Sequence, residues 1–152
     1  MKTLIFLGTA LILSACTSQE GHLKKASLKQ AEKKWEETLQ GEARESLSQS
    51  EWLQTAYMDF MKKNSELEID EVQFQGEDRA TVSVTLSSFS PLLRKTLLKV
   101  ASQVGLDKTR RFNFAEALRP VAGQVGEKPE KEKRPFSVYK YSKGPDGLWR
   151  PE

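Results

Sequence analysis

Apolar and polar positions follow several different rhythms along this chain. The first segment, Leu4 to Leu13, carries no charge; Lys2 precedes it and the small residues Ser14 and Ala15 follow. As a helix it would be about 15 Å long, half of the roughly 30 Å hydrocarbon core of a bilayer. A positive start, an apolar centre and a small-residue end predict a secretory leader. Thr17 to His22 are polar and read as a short extended tether. From Leu23 to about Gln40 the rhythm becomes helical, with Leu28, Ala31, Trp35 and Leu39 at spacings of three and four. Ser48-Gln49-Ser50-Glu51 has the spacing of a capping box. It opens a second helix to about Asn64 whose apolar face is Leu53, Ala56, Tyr57, Phe60 and Met61.

The period then drops to two. Leu67 and Ile69 alternate in one phase and Val72 and Phe74 in the other, which predicts a bulge or bend near Asp70-Glu71. Gly76-Glu77-Asp78 reads as a turn, and Ala80, Val82, Val84 and Leu86 return as a strand with one polar face. Ser90-Pro91 opens a third helix through Leu93, Leu97, Val100, Ala101 and Val104, with Gly105 as its stop. Asn113 and Glu116 cap a short helix that Pro120 should end, and 123–135 reads as an exposed charged loop. Phe136–Ser142 alternates as a strand, Gly144-Pro145-Asp146-Gly147 turns the chain, and Leu148-Trp149-Arg150 pairs back. The expected fold class is α+β: amphipathic N-terminal helices packed on an antiparallel sheet of two hairpins, with a helical section between the hairpins.

Length and composition agree with one domain. The chain has 152 residues, 38% hydrophobic and 30% charged, with a formal net charge of +3. So small an imbalance does not suit a nucleic-acid binder, which concentrates a basic face. Cysteine usage changes the picture more. Cys16 is the only cysteine, so no intrachain disulfide can form, and a chemical role outside disulfides is the first to consider.

Leu13-Ser14-Ala15-Cys16 resembles the lipobox of bacterial lipoproteins, in which an aliphatic and two small residues precede a modified cysteine. The resemblance implies a diacylglyceryl thioether on Cys16, cleavage after Ala15 and acylation of the new amino terminus. Two or three acyl chains hold a protein to a bilayer far more firmly than one, since each buried methylene contributes about 0.8 kcal/mol. Thr17, rather than aspartate, after the cysteine implies sorting to the outer membrane, facing the periplasm. The expected organisation is then a leader over residues 1–15, the lipidated cysteine and tether over 16–22, and one α+β domain over 23–152. The hairpin Phe74-x-Gly76…Ala80-x-Val82-x-Val84 and the closing Val138–Tyr141, Asp146-Gly147-Leu148-Trp149 hairpin resemble cystatin-like and nuclear-transport-factor-like domains of small lipoproteins. The helical stretch Pro91–Val121 departs from the consecutive strands usual in those domains.

The chain is short of catalytic groups. Its one cysteine is assigned to lipid and its one histidine, His22, sits in the expected tether. Neither a histidine-activated nucleophile nor a Cys/His zinc site can be assembled, and no cofactor or metal is expected. The clustered carboxylates Glu68, Asp70 and Glu71 leave one enzymatic alternative, a carboxylate-dependent envelope hydrolase; acidic residues on a strand also deter edge-to-edge aggregation.

Charge is distributed unevenly. Glu20 to Asp78 holds eight bases and 14 acids, whereas Arg79 to Arg119 holds eight bases and only Asp107 and Glu116 as acids. Arg94, Lys95, Lys99, Lys108, Arg110 and Arg111 are therefore the candidate contact to an envelope protein or an anionic envelope component. Bases near a helix C-terminus also stabilise the helix without any partner. The lysines of the first helix, Lys24, Lys25, Lys29, Lys33 and Lys34, likewise admit two readings, headgroup contact or a solvated face. The functional expectation is a non-catalytic, lipid-anchored binding or accessory module, against a surface spacer and the hydrolase.

Overall fold

The computed structural model describes residues 6–104 and 111–152, with side chains from residue 18 onward. In chain order the elements are α1 (Phe6–Ser46), α2 (Glu51–Lys63), β1 (Glu66–Gln75), β2 (Arg79–Ser88), α3 (Pro91–Val104), α4 (Phe114–Val125), β3 (Glu132–Lys143) and β4 (Trp149–Pro151). The strands form one antiparallel sheet in the order β1-β2-β3-β4. The fold is α+β, with two hairpins and α3–α4 between them, as the hydrophobic rhythms predict. The chain divides into two compact units that share α1 and three of the strands.

One unit comprises α1 as far as Ala31, Glu68–Val84 and Phe136–Glu152. Its buried side chains are Leu23, Ser27 and Ala31 of α1, Ala80, Val82 and Val84 of β2, and Tyr141 of β3. The buried hydroxyls of Ser27 and Tyr141 lie 2.8 Å apart, and Gln30 Nε2 donates to the same phenol oxygen at 3.1 Å. These bonds pin α1 to the sheet without stranding polar atoms. Hairpin β3–β4 places Tyr141 opposite Pro151 and Lys143 opposite Trp149. Gly76 and Gly147 take φ near +70° and +77° at the two turns, where a Cβ would be strained.

The other unit comprises Glu32–Leu67 and Thr85–Pro135. Its core combines Trp35, Leu39, Ala43 and Leu47 with Leu53, Tyr57 and Met61 of α2, Leu93, Leu97, Leu98 and Ala101 of α3, and Phe114, Val121 and Ala122 of α4. Phe60 stacks on Phe89 at 5.8 Å and on Phe114 at 5.9 Å, and Tyr57 tilts onto Phe114 at 5.5 Å. Such ring pairs add about 0.5–1.5 kcal/mol each beyond the area they bury.

Several boundaries differ from the sequence reading, each for a physical reason. The first helix continues past Gln40 and Gly41 to Ser46, because Ala43 and Leu47 prolong a buried stripe at a spacing of four. Its backbone is also helical through residues 17–22, where an extended tether is expected. The cap of α2 is Ser50, not Ser48: Ser50 is extended and its hydroxyl accepts from the Leu53 N–H at 3.4 Å. Pro120 lies inside α4 rather than ending it, and the helix stops at Gly126, whose φ is +71°. The ring removes one backbone donor, yet burial of Val121 and Ala122 just beyond it carries the helix on. The charged stretch over 123–135 accordingly contains the end of α4 and the first residues of β3. Gly105, the expected stop of α3, lies outside the described residues.

Candidate functional site

Arg94 is where sequence position and structure diverge most. It belongs to the basic set expected to meet a partner, yet it is only 5% exposed, and that assignment is corrected. On α3, Arg94 shares its face with Leu98 and Ala101, four and seven residues on, all buried. A charged group can occupy such a position only if its hydrogen bonds are met. Glu42 of α1 supplies most of them: Arg94 Nη2 donates to Oε1 at 2.8 Å and Nε to Oε2 at 3.3 Å. Arg94 Nη1 donates to the Phe89 carbonyl at 2.9 Å, and the guanidinium lies 5.1 Å from the centroid of the Trp35 ring.

Tyr57 closes the cluster by donating to Glu42 Oε2 at 2.7 Å. Burial first, then the neighbouring Glu42 charge and this hydrogen bond, raise the phenol well above its ordinary pKa of 10, with Arg94 partly opposing. Arg134 at the start of β3 is held below its ordinary value, chiefly by burial and then by the like charge of Arg94. The Glu42–Arg94–Tyr57 assembly is thus spent on internal bonds. It offers a neutral phenol and a paired guanidinium, neither of which is a ready acid or base. Sequence reading placed Tyr57 on the core face of α2, as observed, but missed Glu42 and the polar link among the three, because they are distant along the chain. The available signal for Arg94 was its place in a wide buried arc on α3.

The remaining candidates separate in a different way. Lys95 and Lys99 are exposed on the side of α3 opposite its core residues, and Arg111 is exposed just before α4. Lys108 and Arg110 lie outside the described residues. Cys16, with the whole lipobox, lies outside the residues whose side chains are described. His22 is exposed on α1. Glu68 is half-buried and Asp70 exposed, two apart and so on one face of β1. Among the described residues, no group of three or more His, Cys, Asp or Glu could hold a metal ion.

Three hollows open among the described residues of the unit that contains α2 and α3. One, of about 140 Å³, is lined by Ser46, Ser48, Ser50 and Ser102 with Leu47 and Leu53 among its apolar residues. Another, of about 260 Å³, lies beside Trp35, Lys62 and Leu67. Both are smaller than the roughly 300–1,000 Å³ of typical small-molecule sites; a third, of about 520 Å³ beside Gln40, Arg44, Glu51 and Thr55, is a wide, polar-lined surface depression rather than the mostly apolar cleft such sites need. The exposed face of α3, with Lys95 and Lys99, is a candidate for contact with something outside the chain. Among the described residues, no helix is long and apolar enough to cross a membrane. No protein-family model, curated protein sequence or solved structure matches the chain.

Proposed function

We propose that this chain is an exported lipoprotein, anchored in the cell envelope by lipid on Cys16, whose folded body works by binding rather than by catalysis. The anchor rests on Leu13-Ser14-Ala15-Cys16 after an uncharged run too short to span a bilayer. Thr17 favours the outer membrane over the inner. The observation that carries the binding reading is the division of basic groups on α3: Arg94 is consumed inside by Glu42, while Lys95 and Lys99 face outward.

Two measurements test it. Palmitate fed to cells making the protein should label the wild-type chain, and Cys16→Ala should carry no label and leave the membrane fraction. Affinity capture from envelope extract should retain a partner on a soluble form that begins after Cys16. Changing Lys95 and Lys99 to Glu should release that partner. A capture that is empty, or indifferent to both lysines, would leave the body as a spacer.

A further inference from the structure

Lys95 and Lys99 are four residues apart on α3, so their charges sit on adjacent turns and repel. Neither lies in the last turn of the helix, so neither serves the helix dipole in the way a terminal base does. No acid is near in sequence to offset them: α3 contains none, and residues 79–106 contain neither Asp nor Glu. Elsewhere on the molecule, Lys24, Lys33 and Lys62 each have a carboxylate within 4 Å; among the described residues, Lys95 and Lys99 have none. In line with them, about one turn earlier, Leu92 is 51% exposed. At 100° per residue, Leu92, Lys95, Lys99 and Gln103 fall on one narrow stripe directly opposite Leu97 and Ala101. The outward face of α3 thus presents one leucine and two lysines in line, with no carboxylate on the helix.

We infer that this stripe is a contact for an anionic bilayer surface, with the lysines on lipid phosphates and Leu92 entering the headgroup layer. The chemistry fits on both counts. Basic side chains near such a surface gain from its negative potential, an apolar side chain among them adds burial in the headgroup layer, and the anchor proposed on Cys16 would hold the body beside a bilayer. The inference rests on the binding reading above and names its partner: the body would lie against the membrane instead of reaching for a soluble protein.

Vesicle sedimentation tests it with the chain from residue 16 carrying Cys16→Ser, which has neither lipid nor the apolar leader. Binding to vesicles of mixed phosphatidylglycerol and phosphatidylcholine should exceed binding to pure phosphatidylcholine, and should fall as salt screens the surface. Lys95→Gln with Lys99→Gln should lower the partition coefficient about 25-fold, near fivefold per lysine, and Leu92→Ser should lower it separately. The control pair Lys128→Gln with Lys131→Gln removes the same charge from exposed positions between α4 and β3 and should change little. Equal losses in control and test pairs would mean general attraction by net charge and overturn the inference. So would indifference of vesicle binding to Lys95 and Lys99. If the envelope capture still yields a protein partner lost on changing the same lysines, the stripe is a protein-docking face. The binding reading then stands without the lipid.

Discussion

Arg94 shows what a single buried charge requires. With 6% of its side chain exposed against 21% for Glu42, it depends on Glu42 and the Phe89 carbonyl for nearly all its polar contacts. Removing either member of such a pair strands the other. Glu42→Leu should cost about 3–5 kcal/mol in urea-induced unfolding, and Arg94→Met about as much. The double variant should recover much of that loss, giving a large coupling energy in the cycle. Tyr57 makes a prediction of opposite sign to an acid titration. Its folded-state pKa is raised, so its contribution to stability is complete below pH 10 and is lost as pH climbs past that value. In a spectroscopic titration, wild type and Tyr57→Phe should give the same phenolate signal while folded. Wild type should gain its extra phenolate only on unfolding. The place of Tyr57 on the apolar face of α2 was legible beforehand, but its bond to Glu42 and the role of Glu42 were not, because nothing local announces a partner 52 residues away, as Glu42 is from Arg94.

At the scale of elements, the local chemistry of caps and turns was largely legible. Asn113 caps α4 by accepting from the Ala115 and Glu116 N–H groups at 3.0 and 3.3 Å. Asn113→Ala should therefore lower stability by about 1 kcal/mol. Pro120 should behave in the opposite way. It is exposed in the interior of a helix that continues past it, so Pro120→Ala restores a backbone donor and should raise stability by about 2 kcal/mol in thermal or urea unfolding. The β3–β4 turn adds a pH-dependent term. Arg150 Nη1 donates to Asp146 Oδ1 at 3.0 Å, and the Leu148 N–H donates to the same oxygen at 3.2 Å. The Arg150 bond first, then the backbone N–H, pull the Asp146 carboxyl down to about 2. A depressed carboxylate stabilises the fold above its ordinary value of 3.8 and ceases to do so as pH falls through about 2. The stability difference between wild type and Asp146→Asn should thus stay constant above pH 4 and shrink below it.

On the scale of the whole molecule, the partition of charge is the property with most reach. The acidic first part of the chain and the acid-free stretch over 79–106 are visible in the sequence, and both the capture and the vesicle experiments turn on that asymmetry. The hydrophobic rhythms alone determined the α+β class, the hairpin at Gly76, the run of Ala80, Val82, Val84 and Leu86 into the core, and the caps at Asn113 and Ser90. Period, cap and turn are local: a few neighbouring residues set them through backbone geometry and short-range hydrogen bonds. Only the tertiary structure decided the rest. The stripe Leu23, Ser27, Ala31, Trp35, Leu39, Ala43 and Leu47 advances by four, overshooting each turn by about 40°, so its early and late members serve different compact units. Helix α4 passes through Pro120 because Val121 and Ala122 find a core to fill. Of two adjacent bases, Arg94 turns inward to Glu42 while Lys95 turns to solvent. One residue's step is 100° of helix, which only the placement of neighbouring elements can turn into inside and outside.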